Sequence, residues 1–491
     1  MSDSGSNVIV SFSRIYVVKK GYLAFWDPSD QSVSDRYFPR CCRQGVVPFL
    51  QKRGEFRPSG FSHLSESQTR FGLSTGDRGD AWFSCRPAVS FHYRNAATSA
   101  GGWDVIWTQY LRVASYIRHQ RTKRQTADAV RCGKTELDFP PTSLNLMMAD
   151  VCNSQCMMCG HDYLTGGSGE MLTLERMRTL CDHLDMKRVI DITYGGGGEP
   201  FLNPELPDIA EFTRTNYPVV RHMVISNFIA VKEETLRRML ASGVHFLISI
   251  NASRPETFCA VSGRDAFASV TENLKLLVRL RRVLHAPVQI LISFILMRRN
   301  IDELLDFVRL AADLGVDGVR LPYVRVYPES QRLRAGRPET IRPEDSLYYD
   351  QKLSDRMVLA AEREASTRGV SIEHDPLFTS AVQRPRECVH PWKSLYINFN
   401  GDVYPCPASE ILFKPKIDRR QYDSGNLLTQ HYSAFWNNAF WRTLRRSNLK
   451  GAPTEVPECG CCGNAICWDG PAVKSAHVLD WTSAERSDLR L

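Results

Sequence analysis

The sequence predicts an α/β fold built on a parallel sheet, preceded by an irregular extension and followed by a cysteine-bearing segment. Three observations predict it. From Ser143 to Tyr323, short apolar runs alternate with segments of helical spacing. Gly243 and Gly315 fall just past two of those segments, where a left-handed residue ends a helix. Each crossover returns the chain to the same end of the sheet, so repeated β–α units pair their strands in parallel.

At the start of the chain, Val8, Val10 and Phe12 alternate with polar residues, and Tyr16 to Phe25 surrounds Lys20-Gly21, which fits a strand pair with a turn. Asp27 to Gly102 is rich in Ser, Arg, Gly and Pro and reads as irregular structure. Val105, Ile106, Tyr110, Leu111, Val113, Ala114 and Ile117 are spaced as on a helix over Trp103 to Arg124. That helix ends in Arg118, Arg121, Lys123 and Arg124, a solvated basic end that could also serve a phosphate-bearing substrate. Strands are expected at 143–148, 188–194, 219–226, 244–250, 287–297 and 316–323. Helices are expected at 173–185, 204–215, 232–242, 266–284 and 301–314, with entry signals at Thr173 and at Glu233-Glu234. Trp392 to Asn400 is strand-like, Asn400-Gly401 is a hairpin turn, Asp402 to Pro405 returns, and helical segments follow near 431–448. The divisions expected are 1–135 for the extension, 136–330 for the α/β core, 331–385 for a connecting helical segment, 386–470 for the cysteine-bearing domain and 471–491 for a tail.

The chain has 491 residues, 43% hydrophobic and 24% charged, as in ordinary soluble globular proteins, and its length suggests roughly two to four domains. A net charge of +8 is modest for this length. It permits an acidic substrate, but no aromatic–basic motif argues for nucleic acid. No apolar stretch approaches the ~18 residues of a membrane span. Met1 to Asn7 lacks a basic region, and Ser11, Ser13 and Arg14 interrupt Val8 to Val18, so neither a signal peptide nor a membrane partner is expected and the reading is cytoplasmic. In that setting the clustered members of the fifteen cysteines read as metal ligands. Cys41, Cys42, Cys85, Cys132, Cys181 and Cys259 are scattered and read as packing residues or surface thiols.

Cys152, Cys156 and Cys159 follow the apolar run Leu144 to Met148. Three thiolates with three and then two residues between them can hold three irons of a cubane and leave the fourth iron open to a small molecule. With His161 as a fourth ligand the same spacing admits zinc. About forty residues on, the strand Val189 to Tyr194 runs into Gly195-Gly196-Gly197-Gly198-Glu199-Pro200. Consecutive glycines let backbone approach a ligand closely. Taken alone, such a run is more often a turn. Ser226-Asn227 ends one expected strand, and Ser249, Asn251 and Ser253 end the next; ligands of parallel sheets gather at such ends. In the carboxy-terminal part, a hairpin presents Cys388 and Cys406 together, and Cys459 and Cys462 form a Cys-x2-Cys pair. Four such thiolates can close a second 4Fe–4S cluster or hold structural zinc.

Cys-x3-Cys-x2-Cys directly after a first strand, followed by Gly-Gly-Glu-Pro after a second, resembles the signature of the radical S-adenosylmethionine (radical SAM) superfamily. The resemblance implies a partial, six-stranded (β/α)6 barrel. It implies a core 4Fe–4S cluster on Cys152, Cys156 and Cys159, and S-adenosylmethionine on its open iron, cleaved to a 5′-deoxyadenosyl radical that takes hydrogen from substrate. Met158 stands where the family often has an aromatic residue and keeps an apolar wall near the adenine. Gly197, Gly198 and Glu199 are implied to touch the cofactor, and Ser249, Asn251 and Arg264 to meet its ribose and carboxylate. Asn251-Ala252 departs from the family's Asp-Gly or Asn-Gly pair. Cys388-x12-Gly401-x4-Cys406, Pro391-Trp392, Gly425-Asn426-Leu427 and the late Cys-x2-Cys resemble the auxiliary-cluster extension called SPASM. Six cysteines rather than seven place the chain closer to its shortened twitch variant, with Cys388, Cys406, Cys459 and Cys462 on a second 4Fe–4S cluster and Cys461 or Cys467 as alternatives.

The expectation is a radical SAM oxidoreductase in which the auxiliary cluster takes an electron from a small-molecule substrate. A peptide-modifying maturase, whose kind often brings a leader-peptide recognition domain, is the rival, and a redox-neutral epimerase or mutase is another. An electron carrier without catalysis is disfavoured, because shuttling needs neither an open iron nor a glycine loop. An external one-electron reductant such as flavodoxin or ferredoxin is the implied partner.

Overall fold

The computed structural model describes residues 7–11, 14–19, 22–26, 101–160, 168–326, 341–379, 388–406 and 423–449. The chain divides into two compact units, Met1–Ala97 and Thr98–Leu491. In the first, β1 (Asn7–Ser11), β2 (Arg14–Lys19) and β3 (Tyr22–Trp26) form an antiparallel sheet in that order. Lys19 on β2 lies opposite Tyr22 on β3, and the turn expected at Lys20-Gly21 lies outside the described residues.

The second unit opens with a long helix, α1 (Gly101–Arg131). Six β–α repeats follow. The strands are β4 (Ser143–Leu146), β5 (Asp191–Tyr194), β6 (Arg221–Ser226), β7 (His245–Ser249), β8 (Ile290–Ser293) and β9 (Gly318–Leu321). They lie in sequence order and all pair in parallel. The helices between them are α2 (Leu174–Asp182), α3 (Leu206–Asn216), α4 (Glu233–Ala241), α5 (Pro255–Ser262), α6 (Phe267–Val283) and α7 (Leu304–Leu314). Every expected strand and helix of the core is present. Thr173 caps α2 by accepting from Arg176 N–H, and Gly315 ends α7 at φ 71°.

Alternation along the strands decides which side meets the helices. Leu144, Leu146, Ile192, Tyr194, Val224, Phe246, Ile248, Ile290 and Ile292 are buried in the core shared with the helices. Asn145, Thr193, Met223, Ile225, Ser249 and Leu291 point the other way and are half-buried. They line the inner face of the sheet.

The sheet is larger than the sequence suggested. After α8 (Gln351–Arg368), β10 (Ser371–His374) pairs in parallel with β9. The segment Ser371–His374 lacks the buried apolar run by which the other strands announce themselves. On the opposite edge, a short helical turn α9 (His390–Lys393) leads into β11 (Ser394–Ile397), which pairs in parallel with β4, and β12 (Val403–Tyr404) returns antiparallel on β11. The order is β10-β9-β8-β7-β6-β5-β4-β11-β12, an open crescent. Helix α10 (Ala439–Leu449) completes the described chain.

Arg445 on α10 pins this edge together. It is fully buried. Its guanidinium donates to Pro391 O at 2.9 Å, Thr135 O at 2.9 Å, Asn437 Oδ1 at 3.0 Å and Trp436 O at 2.8 Å, and it lies 4.4 Å from the centre of the Trp436 ring. Burial pulls its pKa down to about 9. Four acceptors and an aromatic face take the place of the water that it has lost. Arg445→Leu keeps the bulk and strands three buried carbonyls. Orphaned buried acceptors cost about 1–3 kcal/mol each, so a loss of about 3 kcal/mol or more is expected, read as a fall in the urea midpoint. An unchanged midpoint would mean that the guanidinium holds nothing.

Candidate functional site

The three core cysteines lie in the loop that leaves the carboxyl end of β4. That loop is tied down by backbone before any metal is considered. Gln155 N–H and Met157 N–H donate to Ser262 O and Val261 O at the end of α5, at 2.8 and 2.9 Å. Ser154 Oγ donates to Ser262 O at 2.9 Å, and Arg264 Nε to Asn153 O at 2.8 Å. Helix α5, which the sequence reading did not single out, therefore frames the cysteine loop. Met157 is fully buried with Val261, Met297, Val324, Val326 and Ile341, and Met158 packs against this apolar cluster.

The sulfurs are drawn together. Burial pushes the Cys152 thiol up to about 12, and Cys156, Glu199 and Cys159 push it further in the same direction, against a hydrogen bond from Ser154 N–H. A thiol so placed stays protonated unless a cation compensates it, which is what a cluster supplies. Around them sit polar groups within reach of sulfur. Ser154 N–H donates to Cys152 Sγ at 3.4 Å and Asn227 Nδ2 at 3.7 Å, while Ser154 Oγ, whose own proton goes to Ser262 O, lies 3.2 Å from Cys156 Sγ as an acceptor. Among the described residues no group of His, Cys, Asp and Glu side chains could hold a single metal ion. A cubane spreads its three protein ligands over three separate irons.

The glycine run lies flush against the cysteine loop. Gly198 has φ 64°, and a Cβ there would stand 2.0 Å from Ala149 O and 2.7 Å from Val151 O. At Gly196 it would stand 2.5 Å from Tyr396 Oη on β11. Only glycine fits either place. Glu199 then closes the run. It is 2% exposed, its N–H donates to Val151 O, and its carboxylate accepts from Ser226 Oγ at 2.7 Å, Asn227 N–H at 2.8 Å and Phe201 N–H at 3.0 Å. Burial pushes this carboxyl up to about 7 although all three hydrogen bonds pull it down. Its oxygens are thus engaged within the protein, between the β5 loop and the end of β6. Ser226 and Asn227, at the end of β6, are its partners.

Asn251 follows β7 at φ 63°, so it takes the left-handed conformation itself and Ala252 needs no glycine. Its Oδ1 accepts from Ile295 N–H at 2.8 Å, which leaves Nδ2 for another partner. Ser249 ends β7 directly opposite Ser293 on β8. Arg264 braces the cysteine loop through Nε, and among the described residues its Nη groups have no partner. These residues sit on elements that converge at the carboxyl ends of the strands, on the cysteine side.

Of the carboxy-terminal cysteines, Cys388 and Cys406 are described, and they lie toward the other end. Cys388 stands just before α9, and continuing the β11–β12 register brings Cys406 opposite Ser394. Ser394 is paired with Ser143, at the amino end of β4. Cys459 and Cys462 lie outside the described residues, as do Cys461, Cys467 and His161.

Comparison with known proteins finds a domain match over each group of cysteines. Residues 146–311 match the model of the radical SAM superfamily, and residues 388–463 match the iron–sulfur cluster-binding domain called SPASM. The second match takes in Cys388, Cys406, Cys459 and Cys462. A PqqA peptide cyclase of Streptomyces rochei is 24% identical over 374 residues, which are 71% of this chain and 94% of that protein. A probable GTP 3',8-cyclase of Saccharolobus islandicus is 28% identical over 188 residues, 37% of this chain and 56% of that protein. Among solved structures, SuiB of Streptococcus suis superposes with a TM-score of 0.50 at 13% identity, over 66% of this chain and 72% of that one, a likeness of fold. The radical SAM domain implies a 4Fe–4S cluster with S-adenosylmethionine, and the SPASM domain implies auxiliary iron–sulfur chemistry.

Asn227 offers a direct test of the sulfur environment. Hydrogen bonds to cluster sulfurs favour the reduced, more negative state and so raise the potential. Asn227→Leu should lower the core cluster's reduction potential by up to about 60 mV, the one-electron equivalent of about 1.4 kcal/mol. Redox titration followed by electron paramagnetic resonance reads it, and an unchanged potential would leave the amide with a purely structural role. With the cysteine loop and the glycine run in the first of them, this chain carries a radical SAM domain over residues 146–311 and a SPASM domain over residues 388–463.

Proposed function

We propose that this enzyme modifies a peptide oxidatively. Hydrogen is taken from a peptide side chain held against the inner face of the sheet, and the electron left on the substrate departs toward Cys388, Cys406, Cys459 and Cys462. The alignment with the PqqA peptide cyclase carries this reading. It extends over 374 residues, further than a match confined to the barrel domain at 146–311 could reach. The likeness to the GTP cyclases stops at 188 residues. The open sheet supports the reading as well. Strands β4 and β9 pair with β11 and β10 rather than with each other, so the sheet does not close into a barrel and its inner face stays open.

When bound, the core cluster supplies the electron that splits S-adenosylmethionine, and the auxiliary cluster accepts the electron that the substrate gives up. The chain's own residues position and shield. In this reading Met158 walls the adenine, and Gly197 and Gly198 turn backbone toward the methionine amino group. Glu199 sets that backbone in place through Ser226, Asn227 and Phe201. The Nη groups of Arg264 meet the carboxylate, and Ser249 and the Nδ2 of Asn251 meet the ribose. The balance is simple. The peptide loses two hydrogens, one to the methyl group of 5′-deoxyadenosine and one as a proton, and one electron passes to the auxiliary cluster as the new bond forms. An external one-electron carrier resets the enzyme.

Anaerobic incubation with reductant, S-adenosylmethionine and short peptides encoded beside the enzyme tests the reading by mass spectrometry. A peptide lighter by two hydrogens is expected, together with 5′-deoxyadenosine. Replacing Cys152, Cys156 and Cys159 by Ala should abolish both products. Replacing Cys406 and Cys462 should leave 5′-deoxyadenosine and lose the modified peptide. A small alcohol oxidised while every peptide stays intact would restore the dehydrogenase reading. An epimerised peptide of unchanged mass would make the enzyme redox-neutral.

A further inference from the structure

The amino ends of the strands carry a feature that the radical chemistry does not use. A cavity of about 1000 Å³ lies between the carboxy-terminal half of α1, the segment before β4 and the loop before β5. Six cations line it, Arg118, Arg121, Arg124, Lys134, Lys187 and Arg188, against two carboxylates, Asp128 and Asp138. Some are already engaged. Arg118 donates to Met186 O, Arg188 to Gln125 Oε1, and Lys134 lies 3.8 Å from Asp138. Among the described residues Arg121, Arg124 and Lys187 have no carboxylate partner. Burial and then Arg188 pull the Arg118 pKa down, and Asp185 pulls it up. Apolar surface is interleaved with the charge, most openly at Ile117, which is 54% exposed.

Shape and chemistry narrow the occupant. The lining residues of α1 run from Ala114 to Ala129, about 22 Å along the helix. An extended segment of about seven residues covers that length. A single-stranded nucleic acid would want exposed aromatic rings to stack on, whereas Phe139, the one aromatic residue in the lining among the described residues, is 4% exposed. Alternating charge and apolar surface suits a peptide that alternates acidic and aliphatic side chains.

We infer that the α1 groove binds an acidic segment of the peptide substrate, away from the residues that are modified. The inference rests on the peptide reading above. It places recognition at the amino ends of the strands and chemistry at the carboxyl ends of the same sheet.

Fluorescence anisotropy of the full chain tests it. The probe is a labelled synthetic peptide of about ten residues alternating glutamate and leucine, long enough to span the groove. It should bind, weaken with added salt, and bind at least about tenfold less tightly to an R121E/R124E variant. Formation of 5′-deoxyadenosine should be the same in variant and wild type, since neither arginine lies near the cysteine loop. Equal binding to both proteins, or equal binding of a lysine–leucine peptide, overturns the inference. Tighter binding of a single-stranded oligonucleotide overturns it in favour of nucleic acid. Binding that requires deletion of residues 471–491 would mean that the chain's own tail is the occupant, and also overturns it. The two readings fail separately. Absent binding alongside a modified peptide sinks the groove alone, and binding without modification of any peptide sinks the peptide reading.

Discussion

The parallel pairing of β11 on β4 is the constraint on which the rest of this molecule depends. Ser394 lies opposite Ser143 and Ile397 opposite Leu146, so both strands begin at one end of the sheet and finish at the other. The core cysteine loop leaves the finish of β4. Cys388 stands just before α9 and so before the start of β11, and the return along β12 leads Cys406 back toward it. One register thus assigns two thiol groups to opposite ends of a single sheet. A slip by one residue would turn the buried β11 side chains to the wrong face and move Tyr396 away from Gly196. Arg445 protects that arrangement by joining α10, the turn before β11 and the segment before β4 through carbonyls that have no other route to water.

A second layer of constraint is polar and sits at the carboxyl ends. Glu199 is buried among Ser226, Asn227 and Phe201, and Asn227 reaches on to Cys152. The glycine loop, the end of β6 and the first cysteine are therefore one hydrogen-bonded unit. A change in any of them propagates to the sulfur environment without a change in the ligands. In networks of this kind each member is satisfied only if the others hold their places.

Much of this was legible in the sequence. The core strands and helices were, because apolar runs such as Phe246 to Ile248 and helical spacing such as that of α7 are strong periodic signals. The three core cysteines and the glycine run were, because their spacing is itself the chemistry. Strand β10 was not legible, since Ser371–His374 is half exposed and carries no apolar run. Helix α5 was not, being eight residues long with a weak pattern. Glu199 was placed next to the cofactor by its position, and its tie to Ser226 and Asn227 could not be read, because the contact crosses from one strand end to another. Arg445 left no trace either. An arginine in a basic helix reads as solvated, and only packing against two tryptophans makes it a core residue.

The central claim is that one sheet holds two separate iron–sulfur sites, one at each end. Iron and zinc content of the reconstituted protein tests it most directly. The account predicts about eight irons in the wild-type chain, about four when Cys152, Cys156 and Cys159 are replaced by Ala, and about four when Cys388 and Cys406 are replaced instead. Zinc in place of iron in the first variant, or loss of all iron in either, would contradict it.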